Sequence, residues 1–186
     1  NQTGQLSLVS AGDETIRIWN IYTGENERII SLEHSVSDVV WWKFNNNNFE
    51  FLVECGNDFE NHFNIHVIKF STGKIERVLK GHTESICQLL VIENGPLAHH
   101  TLLSSSDDKT IRMWNLETGK CIRVLSGPHT SPVITMCKLG DASNLIACGC
   151  YDHSIYLWNI ASAQCIFTIV NAHSSWIYSL EYMRGN

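Results

Sequence analysis

Serine, histidine and aspartate recur together along this chain, and hydrolases use this combination of side chains for nucleophilic catalysis. The clearest set is His82, Ser104 and Asp108. A hydrolytic triad occurs once in a chain, whereas this set returns with each of several repeated segments. The sequence also contains no GxSxG segment, the strained turn that exposes the serine of many hydrolases. We therefore interpret the set as structural, and we predict that the protein is not an enzyme and has no catalytic residue.

The histidines and cysteines raise a second possible chemistry, which is metal binding. The "CGC" segment (148–150) places two thiols on one face of a strand, but a structural zinc site needs about four ligands and no matching pair lies nearby. We interpret His62 and His66 in "HFNIHV" as ordinary strand residues and the His-His pair at 99–100 as part of a solvated connection. No Gly-rich phosphate loop is present. We expect no metal and no cofactor.

The elements that carry these side chains repeat along the chain. Four segments align, with a large apolar residue in the same column at spacings of 49, 46 and 44 residues. They are "DETIRIWNIYTG" with Trp19, "FNIHVIKFSTG" with Ile68, "DKTIRMWNLETG" with Trp114 and "DHSIYLWNIASA" with Trp158. Each unit contains four short runs rich in β-branched and aromatic residues, separated by polar turns. A period of this size indicates an array of like units, so we predict an all-β fold built of four-stranded repeats.

The repeat also carries a recognisable motif. Gly81-His82 is followed 32 residues later by Trp114-Asn115, with Asp108 in between, and residues 129–159 reproduce the pattern. This motif resembles that of the WD-repeat β-propeller family, and the resemblance extends over essentially the whole chain. It implies a β-propeller of four-stranded antiparallel blades with four WD-type repeats. The chain departs from the family pattern in having Asn instead of Asp after each Trp.

The resemblance further implies that a His, a Ser or Thr, an Asp and the Trp of one blade form a hydrogen-bonded network. A buried indole N–H needs an acceptor, and a Ser hydroxyl can both accept and donate. A fully satisfied network of this kind rigidifies its surroundings. The predicted members are His82, Ser104, Asp108 and Trp114 in blade three, His129, Asp152 and Trp158 in blade four, and His173, Ser10, Asp13 and Trp19 in blade one.

Two of the blades depart from this network. In blade four Cys148 stands where Ser is expected, so we predict a weakened network there. In blade two Ile68 replaces the Trp, which leaves His34 and Asp58 to pair with other groups. Blade two also carries the polar segment "NNNN" (45–48), and we predict that it is the loosest of the four.

The two ends of the chain look like complementary halves of one blade. The segment from His173 to the C-terminus and the segment from the N-terminus to Trp19 together span 32 residues, which equals the spacing from His82 to Trp114. We therefore predict four blades, with the first shared between the ends: 1–32 plus 174–184, 35–80, 83–126 and 130–170. Three arrangements that close the ring are consistent with this pattern: the chain is an excerpt of a larger ring, two copies join head to tail, or one copy forms a four-bladed ring. An open arc would leave sheet edges exposed.

The composition of the chain limits the kinds of partner that it can bind. The net charge of −6 and the scattering of the 13 basic residues argue against a nucleic-acid groove and against a polybasic membrane patch. No apolar run approaches the ~20 residues that a membrane span needs, and no signal-peptide pattern is present. The seven cysteines are spread singly through apolar runs, which favours reduced thiols. We predict an intracellular protein, cytoplasmic or nuclear, that does not contact nucleic acid or membrane directly.

By the resemblance, partners bind the propeller face that bears the His and Asp turns. Large aromatic side chains at exposed positions resemble binding hot spots, so Trp176 and Tyr151 are the leading candidates; packing of Trp176 against a neighbouring blade or into the central channel is the alternative. The other candidates are Ser174, Thr83, Ser85, Asp107, Thr130 and Pro132, with Gly12, Ser35, Ser37 and Asn57 at equivalent positions.

We thus predict a non-catalytic scaffold that binds other proteins or peptides within a multiprotein assembly, with self-association as a further way to complete the ring. The alternatives are a substrate-recognition module of a ubiquitin ligase, an enzyme or small-molecule binder that uses the central channel, and an RNA-processing scaffold. The acidic balance counts against direct RNA contact in the last of these.

Overall fold

The computed structural model describes residues 6–44, 49–57, 63–92, 100–140 and 144–184, and in these ranges the chain is all-β. The described part contains no helix long and apolar enough to cross a membrane. Its fifteen strands are β1 (Ser7–Gly12), β2 (Thr15–Asn20), β3 (Asn26–Ser31), β4 (Ser35–Phe44), β5 (Phe49–Asn57), β6 (Phe63–Lys69), β7 (Lys74–Leu79), β8 (Ile86–Ile92), β9 (Thr101–Ser106), β10 (Ile111–Asn115), β11 (Cys121–Leu125), β12 (Val133–Lys138), β13 (Leu145–Cys150), β14 (Ile155–Asn159) and β15 (Gln164–Ile169).

The strands form four antiparallel sheets in chain order. The first sheet holds β1–β3, and the second, third and fourth sheets hold β4–β7, β8–β11 and β12–β15. Within each sheet every strand pairs with its neighbour in the chain, so each sheet is a meander of hairpins. This arrangement confirms the predicted all-β fold of antiparallel propeller-type sheets.

The first strands of neighbouring sheets pack side by side, and side chains join them. The carboxylate of Asp38 on β4 accepts the backbone N–H of Leu89 on β8, with the two atoms 2.7 Å apart. The side-chain oxygen of Gln88 on β8 accepts the N–H of Met136 on β12 in the same way. Both acceptors lie directly after a register shift in their strand. Because a bulge turns the following side chain away from its own ladder, it can reach the next sheet.

The apolar core lies between the sheets. One cluster joins the third and fourth sheets through residues such as Leu103 and Trp158. A second cluster joins the second and third sheets around Trp42 and Trp114, and a third joins the first and second around Ile16 and Leu52. The second and third sheets therefore bury both faces against neighbours and the first and fourth bury one each, as expected for repeats that cannot bury both faces alone.

The C-terminal segment packs on the fourth sheet. The first sheet has three strands, and residues 171–184 form no strand. Ile177 is buried, and a Cβ added at Gly149 of β13 would lie 2.5 Å from its Cγ2. Ile177 follows His173 by the same four residues that separate Ile86 from His82. The segment thus meets the fourth sheet in the way that the first strand of a following blade would. The predicted sharing of blade one between the two ends is not among the pairings described and stays a prediction.

Candidate functional site

The third sheet brings four of the predicted network residues together. The indole N–H of Trp114 donates to Ser104 Oγ at 2.8 Å, and this oxygen lies 2.7 Å from His82 Nε2. His82 Nδ1 lies 2.7 Å from Asp108 Oδ2. If Nδ1 carries the imidazole proton toward the carboxylate, Nε2 accepts the Ser104 hydroxyl proton, so that each group has a partner. Trp114, Ser104 and His82 are buried, and Asp108 is half-buried at the turn.

Asp108 ties the two turns at this end of the sheet together. Its carboxylate accepts hydrogen bonds from the backbone N–H of Thr83, after the His turn, and from both the N–H and the hydroxyl of Thr110. Burial alone would raise the pKa of Asp108, but the hydrogen bonds from His82 and Thr110 lower this pKa below its usual range. The carboxylate therefore stays ionised and contributes to the rigidity of the turn.

The fourth sheet lacks most of this network. Cys148 takes the position of Ser104, since it lies opposite Tyr156 as Ser104 lies opposite Arg112. The Tyr156 hydroxyl donates to Asp152 Oδ2 at 2.8 Å. Among the described residues, Trp158 Nε1 and both ring nitrogens of His129 have no hydrogen-bond partner. Burial lowers the pKa of His129, which keeps the ring neutral.

The first sheet contains part of the network. The Trp19 indole donates to Ser10 Oγ at 2.8 Å. The hairpin from β1 to β2 is one residue shorter than that from β9 to β10, and it places Asp13 at a φ of 54°, in the turn position that Lys109 occupies in the third sheet. His173 is exposed, and its backbone N–H donates to the His153 carbonyl in the fourth sheet. The structure thus does not bring Asp13 and His173 to Ser10.

The second sheet contains a charged cluster that sequence reasoning missed. Glu54 lies opposite His66, so it occupies the position of Ser104, and Ile68 occupies the position of Trp114. His34 Nε2 lies 3.0 Å and His66 Nδ1 lies 2.6 Å from the same carboxylate oxygen, Glu54 Oε1. Burial alone would raise the pKa of Glu54, but hydrogen bonds from the two histidines lower it below its ordinary value.

Part of this cluster could have been found in the sequence. A glutamate inside the apolar run "FEFLVECG" (49–56), in the column of Ser104, indicates a buried charge that needs partners. The partner role of His66 depends on strand register and could not be read in the same way. Asp58, His62 and His99 lie outside the described residues. The prediction that this blade is the loosest stays a prediction.

Aromatic side chains are exposed at the end of the fourth sheet, next to its His and Asp turns. Trp176 stacks on Tyr151 with ring centroids 4.2 Å apart and an interplanar angle of 22°. Tyr178 lies with its ring 6.1 Å from that of Trp176. Trp176 is 46% exposed and Tyr178 is 67% exposed. We call Tyr151, Trp176 and Tyr178 the aromatic patch. Trp176 therefore packs on the fourth sheet through one ring face and still presents apolar surface to solvent.

The remaining predicted face residues lie near these turns. The Tyr151 N–H donates to the Pro132 carbonyl, and the Asp107 N–H donates to the Ser85 carbonyl. Exposed members of the set are Thr83, Thr130, Ser174, Gly12, Ser35 and Ser37. The side chain of Asn57 lies outside the description. The two thiols of the "CGC" segment, Cys148 and Cys150, are both buried on β13.

Two of the repeated segments match a known protein family. The family model of the WD domain, G-beta repeat, matches residues 73–115 and 119–159. The first match covers β7–β10, and the second covers β11–β14. The C-terminal half of each match contains the Asp turn and the Trp column described above.

Several curated proteins are similar to this chain. WD repeat-containing protein 18 of Homo sapiens is 27% identical over 147 residues, which are 72% of this chain and 32% of that protein. Nuclear distribution protein PAC1 of Gibberella zeae is 30% identical over 132 residues, 66% of this chain and 27% of that protein. Polycomb group protein FIE2 of Zea mays is 34% identical over 74 residues, 39% of this chain and 19% of that protein. The chain thus spans about a third or less of the length of these relatives.

Proposed function

We propose that this chain, which belongs to the WD-repeat family, is a non-catalytic scaffold that binds a protein or peptide through the end of the sheets bearing the His and Asp turns. Proteins of this family generally act as interaction scaffolds in assemblies, and the Ser–His–Asp set of the third sheet is engaged in structural bonds. His82, Ser104 and Asp108 are tied to Trp114 and to turn backbone. An intracellular location is part of the proposal.

The observation that supports the proposal most directly is the aromatic patch. Stacking on Tyr151 fixes the indole of Trp176, so little side-chain entropy is lost when a partner covers it. The hot spots of protein interfaces are enriched in Trp and Tyr side chains. Exposed polar residues such as Thr130 and Ser174 lie in the adjoining turns and supply a polar rim.

The chain offers a matched control for this patch. Tyr22 is 70% exposed and lies in the turn between β2 and β3. In an antiparallel meander this turn is at the opposite end of the strands from the β1–β2 turn. Tyr22→Ala therefore removes an equally accessible aromatic ring from the other face.

The experiment compares quantitative affinity capture by the wild-type chain with capture by Trp176→Ala, Tyr151→Ala and Tyr22→Ala. Hot-spot truncation costs about 2 kcal/mol or more, or roughly 30-fold in Kd. We expect a partner to be lost with Trp176→Ala and Tyr151→Ala and retained with Tyr22→Ala, while near-UV circular dichroism reports that each variant is folded. Retention by both patch variants, or loss only with Tyr22→Ala, would place the binding surface elsewhere.

A further inference from the structure

The second sheet combines three donor groups that its sister sheets do not have. Where the third sheet carries Ser104 and Arg112, the second carries Glu54 and His66 at the same register positions. His34 stands just before β4 and completes the group. The three donor atoms lie within 4.8 Å of one another. We call these residues the His34–Glu54–His66 cluster.

The second and third sheets fill the same interior with different side chains. In the third sheet the Ser104 hydroxyl lies between the His82 ring and the Trp114 indole, and the carboxylate that bonds His82, that of Asp108, lies in the turn. In the second sheet Ile68 removes the indole, and two imidazoles with one carboxylate occupy the interior instead. Placing a charged carboxylate in a fully buried position is costly unless its oxygens are satisfied.

The carboxylate of Glu54 is only half satisfied. Both histidines converge on Oε1, whereas Oε2 is buried and has no hydrogen-bond partner among the described residues. Glu54 itself is 0% exposed. An ionised carboxylate has room for about four hydrogen-bond contacts. A buried, unpartnered carboxylate oxygen beside two imidazoles is an arrangement that a bound cation would satisfy.

The donor types select the class of cation. Imidazole nitrogens favour divalent transition metals such as Zn²⁺, whereas Ca²⁺ and Mg²⁺ prefer oxygen ligands. Zinc bonds of about 2.0–2.1 Å at tetrahedral angles place neighbouring donor atoms roughly 3.3 Å apart. The two histidine nitrogens are now 3.0 and 2.6 Å from Glu54 Oε1. A small outward movement of the two rings therefore opens the required space.

We propose that the His34–Glu54–His66 cluster binds one Zn²⁺-class divalent ion. His34 Nε2, His66 Nδ1 and the Glu54 carboxylate are the protein ligands, and a fourth coordination position remains for water or another small ligand. The ion links the segment before β4 to β5 and β6, and so replaces the Ser–Trp network that joins the corresponding elements of the third sheet.

The test uses the full chain after treatment with a chelator, titrated with Co²⁺ in place of Zn²⁺. Co²⁺ reports its ligands through visible absorption, and a thiolate ligand adds a charge-transfer band in the near ultraviolet. This distinction matters because the chain carries seven free cysteines. We expect saturation at one equivalent, visible d–d absorption and no thiolate band.

Each variant introduces the residue type that the third sheet has at the same register position, so that the fold can accommodate it. His66→Arg introduces the residue type of Arg112, and Glu54→Ser introduces that of Ser104. Loss of even an outer-shell partner lowers metal affinity by about 10–100-fold, so loss of a ligand should lower it by more than about 100-fold. The control His173→Ala removes an exposed histidine outside the cluster and should bind as the wild type does.

A second readout is the thermal midpoint, which Zn²⁺ should raise in the wild type and in His173→Ala but not in His66→Arg or Glu54→Ser. Circular dichroism at matched temperature reports folding of each variant. The proposal is overturned if the wild type shows no visible Co²⁺ absorption, if a thiolate band accompanies binding, or if a folded His66→Arg variant binds with unchanged affinity.

Discussion

Replacing Ser104 by alanine removes one oxygen atom that serves two buried groups. The Trp114 indole N–H, in a side chain that is 1% exposed, and His82 Nε2 both lose their partner. Each buried polar group left unpaired costs about 1–3 kcal/mol. Part of this loss is offset, because the variant no longer has to bury the polar Ser104 hydroxyl. We expect Ser104→Ala to lower the free energy of unfolding by about 2–4 kcal/mol.

The neighbouring residue provides the control. Ser105 is also 0% exposed on β9, but its Oγ has no hydrogen-bond partner among the described residues. Ser105→Ala makes the same change in volume without orphaning another group, so we expect it to leave stability unchanged or to raise it by up to about 1 kcal/mol. Any difference between the two variants therefore reports the hydrogen bonds rather than the loss of the hydroxyl.

The assay is urea-induced unfolding at neutral pH, followed by circular dichroism and analysed for midpoint and m-value. A double-mutant cycle with Trp114→Phe adds a second criterion. In that background Ser104→Ala orphans only the imidazole, so the coupling energy between the two positions should be about 1 kcal/mol or more. Equal destabilisation by Ser104→Ala and Ser105→Ala, or a coupling energy near zero, would refute the network as the source of stability.

Three further predictions concern the same elements. Cys148→Ser supplies Trp158 with the acceptor that it lacks, so we expect a gain of about 1 kcal/mol in urea unfolding, and a loss would show that the thiol packs better than a hydroxyl can bond. The pKa of Asp108 is lower in the folded state than in the unfolded chain, so its contribution to stability is complete above the unfolded pKa of about 3.9 and is lost as the pH falls toward the folded pKa. In Asp108→Asn the urea midpoint should therefore depend less on pH below about pH 4 than it does in the wild type. An unchanged pH dependence would contradict this. Gly127→Ala places a Cβ against the Trp158 ring, so its thermal midpoint should fall, whereas Gly12→Ala, with open space around it, should change little.

The network of the third sheet could be predicted because its members stand in fixed columns of a repeat. The Trp column anchors the alignment, and the resemblance to the WD-repeat pattern then implies the roles of Ser104 and Asp108. Where the anchor is missing, at Ile68, the same reasoning could not assign Glu54 and His66, because their contact depends on strand pairing and on burial of a charge. The shortened turn at Asp13 could have been found in the sequence, since Asp13 follows Ser10 by three residues whereas Asp108 follows Ser104 by four.

The predicted sharing of the first blade between the chain ends remains a prediction, and the structure adds the contacts of the C-terminal segment. Spacing alone related His173 and Trp176 to the first blade, because the count of residues matched that of an intact unit. Spacing does not specify which sheet the segment contacts. In the structure Ile177 contacts Gly149, and Trp176 contacts Tyr151, so both contacts are with the fourth sheet.

The side-chain bonds between the first strands of neighbouring sheets have a mechanical consequence. The side chain of Asp38 accepts a hydrogen bond from the backbone of β8, and that of Gln88 accepts one from the backbone of β12. These two contacts between neighbouring sheets therefore do not depend on apolar packing alone. A pulling force applied across the second and fourth sheets would load these two bonds in series. Rupture in a force spectroscopy experiment should therefore begin at a junction and release whole sheets as discrete steps, rather than peel single strands.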